Sequence, residues 1–388
     1  MERVRLGIIG VGGMGSNHAQ KILGGAIKRL ELHAVCDIDP ARLKAFEKHP
    51  GVARFDDSRK LLRSGAVDAV LIATPHYDHT TIGIDALEQG LHVLVEKPIS
   101  VHKADCERLI AAHKKRGQVF SAMFNQRCDP HYQRVKQIID RGELGRLQRV
   151  NWIITDWFRS EAYYASGGWR ATWKGEGGGV LLNQCPHNLD LLQWLCGMPN
   201  KVRAFCSLGK YHTIEVEDEV TAYLEYANGA TGVFITSTGE APGTNRLEIT
   251  GDQGKVVIEH GNVHFTRNEV RASEFCRTTR QSFARPPVWN IEIPVKDNGP
   301  QHAGILQNFT DAILDGLDLI APAREGIHSV ELGNAMLMSS LSGQTVNVPL
   351  DGAKFERMLK KLVRESKFQK KTVKKGDNED MAASFGKA

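Results

Sequence analysis

What this chain has little of narrows it first. Cysteine is sparse, seven in 388 residues, odd in number and scattered, with no C-x-x-C pair. That excludes a disulfide framework and a cysteine-based zinc site, and it is the usage of a reducing compartment. A cytoplasmic protein without a metal is expected. No apolar run is long enough to cross a bilayer. Met1-Glu2-Arg3 leads straight into a strand-like run, so no secretory leader is expected. An excess of one charge is also lacking. Lys and Arg number 50 against 45 Asp and Glu, a net +5, and much of the excess lies in the last stretch. No basic stripe of the kind a nucleic-acid surface needs is present. Nucleic acid and membrane are therefore not expected partners. There is no internal repeat, and the length suffices for two domains with sizeable cores.

What is present organises around residues 4–37. Val4-Arg5-Leu6-Gly7-Ile8-Ile9 reads as a buried strand and runs into Gly10-Val11-Gly12-Gly13-Met14-Gly15, a G-x-G-x-x-G match. A helical stretch to about residue 30 and a second strand, Leu32-His33-Ala34-Val35-Cys36, end on Asp37. Each part suits a dinucleotide. Gly10 allows the tight turn, Gly12 lets backbone approach a pyrophosphate, and Gly15 lets the helix pack close to the strand. The helix N-terminus offers free N–H groups and a partial positive charge to phosphate. Asp37 accepts from a ribose diol, which favours NAD. Ile38 rather than arginine follows it, though Arg42 is close enough in sequence to keep NADP as the less favoured alternative.

The pattern continues as alternating strands and helices, which make a parallel sheet. Strands are expected at residues 67–73, 91–95 and 118–123. Helices are expected at 40–49, 80–89 (with Gly90 as cap) and 100–116 (with Ser100 as N-cap). The chemically interesting residues fall just past strand ends, where such folds place their ligands: Thr74, Pro75 and His79; Glu96-Lys97-Pro98; and Asn125 with Arg127. Pro98 cannot extend its strand, and Lys97 there points into the cofactor crevice.

These residues together resemble the family of NAD(P)-dependent sugar and inositol oxidoreductases called Gfo/Idh/MocA. The resemblance runs over about residues 4–350, with Glu96-Lys97-Pro98 its most diagnostic piece. It implies that Lys97 sits near the nicotinamide and the reacting hydroxyl. It implies too that Thr74, Pro75, His79, Glu96 and Asn125 line the cofactor site alongside Gly10, Gly12, Gly13, Met14, Gly15 and Asp37, and that Arg127 stands on the substrate side.

The second half changes character. After a connecting helix at 130–141, a strand at 147–156 is expected. Hairpins follow around Asn228-Gly229 and Asp252-Gln253-Gly254, with a further strand at 263–266. A run of antiparallel strands after a run of βα units gives the expected fold class. It is α/β: an N-terminal Rossmann doubly wound parallel sheet over 1–125, then a C-terminal α+β domain over 126–350 with a large open, mainly antiparallel sheet. An open sheet face must be covered, so a homo-oligomer, dimer or tetramer, is expected. Amphipathic helices at 301–317 and 325–341, a short strand at 345–349 and a helix at 351–363 look like closing elements that wrap back onto the first domain. Residues 364–388, rich in lysine, glycine and polar residues, read as a disordered charged tail.

Between the first strand of this half and its hairpins, Gly177-Gly178-Gly179 leads into a helix carrying Asn183, His187 and Asp190. At i and i+4, Asn183 and His187 share one helix face. By resemblance, His187 and Asp190 match the family's pattern, whereas Asn183 stands where it carries a catalytic aspartate and Cys185 where it carries glycine. An amide moves no proton at neutral pH. Asn183 is left to hydrogen-bond a hydroxyl or fix the His187 tautomer, and proton transfer falls to His187 and Lys97, with the choice between them open. Asp190 is as well suited to a structural role.

Five of the six tryptophans lie between residues 152 and 194. Within the loop-like part of that stretch, Asp156, Trp157, Tyr163, Trp169 and Arg170 mix aromatics with charge, which suits the C–H faces and hydroxyls of a sugar. The expected activity is an NAD-dependent dehydrogenase. It moves a hydride between the nicotinamide and a secondary hydroxyl or keto group of a sugar, glycoside or inositol, with Lys97, Asn183 and His187 at the reacting centre. Two alternatives stay open by resemblance. One is a glycoside-processing enzyme that oxidises transiently and recycles NAD. The other is a catalytically silent NAD-binding sensor.

Overall fold

The computed structural model describes residues 2–372, and the part of the expected tail at 373–388 lies outside them. Two sheets carry the architecture. The first joins β1 (Val4–Ile9), β2 (Leu30–Cys36), β3 (Ala53–Phe55), β4 (Ala69–Ile72), β5 (His92–Val95) and β6 (Phe120–Ala122). They are all parallel, in the order β3-β2-β1-β4-β5-β6. The order reverses at β1, so a crevice opens past the strand C-termini between β1 and β4, as a doubly wound dinucleotide fold requires. Strands buried on both faces read as continuous apolar runs rather than alternating ones, and Ala69, Val70, Leu71 and Ile72 are all inaccessible to solvent.

The second sheet joins β7 (Leu147–Ile154), β8 (Lys201–Leu208), β9 (Glu217–Glu225), β10 (Thr231–Ser237), β11 (Asn245–Gly251), β12 (Gly254–Glu259), β13 (Asn262–Asn268), β14 (Val288–Ile293) and β15 (Val346–Asn347). Its order is β14-β13-β12-β11-β7-β10-β9-β8-β15. Every pair is antiparallel except β7 with β10. Alternation sorts the two faces. Val202, Ala204, Ala222 and Leu224 turn inward against Leu189, Leu192, Leu332 and Met336 of the helices Pro186–Cys196 and Gly326–Ser342. Phe205 and Tyr223 turn outward and are 64% and 43% exposed.

The fold class is the expected one; several element bounds differ. The first helix stops at Leu23 instead of about 30, because Gly24 and Gly25 end it and residues 26–29 return the chain to β2. The helix after Pro75 begins at His76, four residues early, since proline holds the extended backbone that precedes a first turn. The helix expected from Ser100 begins at Lys103. His102, not Ser100, caps it by accepting from the Asp105 N–H, while Ser100 bonds Thr80. Strands β3, β8 and β14 and the helix Ala272–Thr278 were not expected. The last helix runs over Gly352–Glu365, and residues 366–372 lie against the molecule through Ser366 on Glu215 and Lys370 on the Arg170 carbonyl. Among the described residues no helix is long and apolar enough to cross a membrane.

The closing elements do return to the first sheet. Ile305, Leu306 and Phe309 of the helix Gln301–Asp315, with Ala321, Ala323 and Val330, complete the core that β1, β4 and β5 begin. One ion cluster pins the two sheets to each other. Arg127, 1% exposed, gives two parallel bonds of 2.7 Å to Asp190 on the helix Pro186–Cys196. It also donates to Glu325 and to the Ile320 carbonyl. Removing the guanidinium leaves a buried carboxylate uncompensated, which costs about 3–5 kcal/mol. Arg127→Ala should lose that much stability in denaturant titrations followed by fluorescence and circular dichroism; a loss below about 1 kcal/mol, the scale of an exposed pair, would show the cluster to be dispensable.

Candidate active site

The crevice past β1 begins with the glycine turn. Gly10 has φ +89°, and a Cβ on Gly15 would meet the Gly10 carbonyl oxygen at 1.9 Å. Only glycine fits at either position, so the helix Gly13–Leu23 starts directly against the turn and aims its free N–H groups into the crevice. Gly12, Gly13 and Met14 retain some exposure there. At the end of β2, Asp37 is buried and accepts from the Val11 and Asp39 N–H groups at 2.9 Å. Arg42 also reaches Asp37, at 3.3 Å, and its guanidinium lies 3.4 Å from where a Gly12 Cβ would stand. The arginine therefore sits over the turn from five residues beyond Asp37.

Past β4 and β5 two loops are clamped together. His79 is buried with Nδ1 2.8 Å from the Pro98 carbonyl and Nε2 2.9 Å from the Thr74 carbonyl. A neutral imidazole has one N–H, so His79 donates to one of these carbonyls and packs against the other, between the Thr74-Pro75 and Lys97-Pro98 loops. Glu96 bonds His18 Nε2 at 2.7 Å. Burial pushes the Glu96 carboxyl up, but the His18 hydrogen bond and charge outweigh it and hold the carboxyl at about 2. The Lys97-Pro98 peptide is cis. Two polar atoms in the crevice, Thr74 Oγ1 and Asn125 Oδ1, are buried without a partner among the described residues, although Asn125 Nδ2 donates to Gln301. Buried polar atoms are rarely left so. With the glycine cradle they fit a ligand rich in donors and acceptors, as a dinucleotide is.

Lys97 reaches across to the second half of the molecule. Its Nζ donates to the Asn183 carbonyl at 2.7 Å. Burial lowers its pKa, more than Glu96 and Glu176 raise it. His187 is buried edge-on to Phe124 at 6.2 Å between ring centroids, and its Nδ1 has no partner among the described residues. Burial, then the Lys97 charge, push its pKa well below the ordinary value, so the ring is neutral at physiological pH.

Three expectations are corrected here. Asn183 and His187 do not share one helix, because Val180–Asn183 ends before Pro186–Cys196 begins, with Cys185 at ψ 0° and Pro186 unable to donate between them. The Asn183 side chain accordingly does not orient His187. It donates to Glu176 and accepts from Tyr163 Oη at 3.2 Å and Gln184 Nε2 at 3.2 Å. Arg127 is not placed to meet substrate, since Asp190, Glu325 and Ile320 engage it, and Asp190 is structural. Asp156 is exposed and bonds Asn245.

Residues 157–176 form the remaining wall. Trp157 donates to Asn188 at 3.3 Å. Tyr163 takes a 2.8 Å bond from Arg170 and 3.0 Å from Gln184. The Arg170 guanidinium lies 4.7 Å from the Tyr163 ring centroid and 4.8 Å from that of Trp169, whose other neighbour is His76. Glu176, which the sequence did not single out, accepts from the Ala171 N–H and from Asn183, and burial raises its pKa. As the acid just before the glycine run, it was visible in the sequence. Glu217 was missed too: it accepts from the Gly179 and Leu181 N–H groups beneath that run, with burial raising its pKa to about 7.

A dinucleotide crevice facing a lysine and a neutral histidine from a second domain defines a class, the two-domain nicotinamide oxidoreductases. Residues 4–124 match the model described as oxidoreductase family, NAD-binding Rossmann fold, and residues 132–257 match the GFO/IDH/MocA C-terminal domain. The chain belongs to the Gfo/Idh/MocA oxidoreductases and binds NAD. Among curated relatives, myo-inositol 2-dehydrogenase of Thermotoga maritima is 26% identical over 268 residues, 66% of this chain and 75% of that one. Levoglucosan dehydrogenase of Pseudarthrobacter phenanthrenivorans is 26% identical over 396 residues, 90% of this chain and 99% of that one. Among solved structures, the WlbA dehydrogenase of Bordetella pertussis in complex with NADH and UDP-GlcNAcA superposes with a TM-score of 0.75 at 28% identity, covering 90% of this chain and 100% of that chain.

The acid at residue 37 and the arginine at 42 divide cofactor preference between them. Asp37→Ala should weaken NADH binding far more than NADPH binding in fluorescence titrations, because the ribose diol loses its acceptor while Arg42 remains for a 2′-phosphate. Equal losses for the two cofactors would refute the ribose role.

Proposed function

We propose that the protein is a dehydrogenase acting on a secondary alcohol of a sugar, glycoside or inositol, with residues 1–125 holding NAD and residues 126–350 holding substrate. The observation that carries the reading is Lys97. It is an amine at the end of a cofactor-sheet strand, depressed in pKa by burial and held by a carbonyl of the substrate half. The names of the relatives support a polyol substrate. Seven free cysteines support a reducing, cytoplasmic setting.

The chain's own groups divide the work as follows. Gly10, Gly12, Gly13, Met14 and Gly15 receive the pyrophosphate, Asp37 the ribose, and Thr74, Pro75 and Asn125 the nicotinamide half. NAD, when bound, supplies the hydride acceptor. Lys97 and His187 meet the reacting hydroxyl, one removing its proton and the other donating to its oxygen; both are suited, since burial lowers the proton affinity of each. Asn183 lends its carbonyl to Lys97 and its side chain to Glu176 and Tyr163, ordering the wall. Trp157, Tyr163, Trp169 and Arg170 line the substrate.

The reading is tested by NADH formation with inositols, free hexoses and glycosides. Lys97→Met should leave NADH binding intact and cut turnover by at least ~10²-fold, the scale of acid–base catalysis. Oxidation by the parent enzyme should fall on the acid side as Lys97 gains its proton, at a pH below the ordinary lysine range. Near-normal turnover in the variant sinks the assignment. Isotope washout from substrate without NADH accumulation would move the reading to transient oxidation with recycled NAD.

The outward face of the nine-stranded sheet, bearing Phe205 and Tyr223, supports a homo-oligomer that buries it. Sedimentation should give a multiple of the chain mass, reduced by Phe205→Glu with Tyr223→Lys; a monomer at micromolar concentration would contradict this.

A further inference from the structure

The wall around Tyr163 holds more positive charge than a neutral sugar calls for. Arg170 uses one donor on Tyr163 Oη and stacks on Tyr163 and Trp169. A guanidinium has five N–H donors in a fixed fork. None of the others has a protein partner among the described residues. Lys370, from the segment after the last helix, donates to the Arg170 main-chain carbonyl, which brings its ammonium beside the same wall. Arg159 stacks on Tyr163 at 5.2 Å and Trp157 at 5.4 Å.

Lys97 lies two side chains away. Its Nζ bonds the Asn183 carbonyl, the Asn183 side chain bonds Tyr163 Oη, and Tyr163 Oη bonds Arg170. Among the described residues neither Arg170 nor Lys370 forms an ion pair. Glu176 is a nearby carboxylate whose charge reaches Arg170 and Lys370, but its oxygens accept from Asn183 and the Ala171 N–H and give neither cation a direct bond. Burial raises its pKa and lowers that of Lys370 to about 8, so the enclosure disfavours the charges it holds. Unpaired cations in a partly desolvated wall are costly unless something compensates them. The Arg170 guanidinium lies over two aromatic rings, and its planar fork suits a bidentate oxyanion.

We propose that the substrate carries an anionic group, a carboxylate or a phosphate, which seats at Arg170 and Lys370 across Tyr163 and Asn183 from the reacting hydroxyl at Lys97. This rests on the dehydrogenase reading for the hydroxyl but not for the anion. The anion orients the sugar ring on Tyr163 and Trp169, and neutral polyols lack that anchor. The activity is then a uronate or sugar-phosphate dehydrogenase.

The test separates binding from turnover. Calorimetry on the enzyme–NADH complex compares glucose, glucuronate and glucose 6-phosphate, and galactose with galacturonate. An anion should bind at least about tenfold more tightly than its neutral partner, the effect of one charge-assisted hydrogen bond, and the preference should weaken with salt. Glucuronate against glucose 6-phosphate distinguishes carboxylate from phosphate. Arg170→Gln should bring the anion and the neutral sugar to within about twofold of each other, and Arg170→Lys should restore most of the difference. Lys370→Met, on a half-exposed side chain, should cut the preference severalfold without moving the unfolding midpoint. Equal binding within every pair, no anion binding in any pair, or equal weakening of both members by Arg170→Gln would overturn the proposal. Anion binding that Arg170→Gln abolishes, with no NADH formed from any sugar, would keep the site and sink the dehydrogenase reading. Turnover of neutral sugars without anion preference would do the reverse.

Discussion

The arrangement of this molecule depends on one buried guanidinium. Arg127 comes from the loop past the last strand of the cofactor sheet and grips Asp190 on the helix that also carries His187, while Glu325 and the Ile320 carbonyl hold its other side. A bidentate pair of this kind fixes direction as well as distance. With the helix so placed, His187 faces Phe124 and the Asn183 carbonyl faces Lys97. The reacting groups belong to opposite halves of the chain, and neither half positions them alone. The cluster is a poor source of net stability, since both charges were taken out of water; what it supplies is the relative placement of two surfaces.

Burial then sets the chemistry. Lys97 and His187 lose proton affinity and Glu176 gains it, each because the charged form is the one the enclosure disfavours. Glu96 is the exception, held at about 2 because His18 hydrogen-bonds its ionised form. Two glutamates at similar depth thus behave oppositely: for Glu96 the His18 hydrogen bond outweighs burial, while for Glu176 burial outweighs the Arg170 charge and the N–H bonds. Perturbed groups of this density are what a catalytic crevice contains.

The parts that could be read from the sequence were those whose physics is local. A glycine turn between a strand and a helix, an acid at the next strand end, and a lysine-proline at another need only nearest neighbours to be understood, and all fall where the sheet opens. The hairpins around Asn228-Gly229 and Asp252-Gln253-Gly254 were legible for the same reason. What was hidden depends on partners far along the chain. Arg127 looks like a substrate contact until Asp190, 63 residues on, takes its fork. His79, expected at the cofactor, lies between the Pro98 and Thr74 carbonyls of two separate loops. Helical spacing does not put Asn183 and His187 on one helix because Pro186 starts a new one. The strands β3, β8 and β14 lack long apolar runs and borrow their order from neighbours.

The helix Gln301–Asp315 lies in the core of the first sheet, although the strands of that sheet finish at Ala122. A ribosome delivers the chain from the N-terminus at roughly 5–20 residues per second. The cofactor sheet therefore emerges with an open apolar flank, and some 180 further residues must follow before Ile305, Leu306 and Phe309 arrive to cover it, about nine seconds at the faster rate and more than half a minute at the slower. During synthesis the first domain waits on the last part of the chain, and the second sheet has to form around that interval. The two halves are distinct in architecture but not in time.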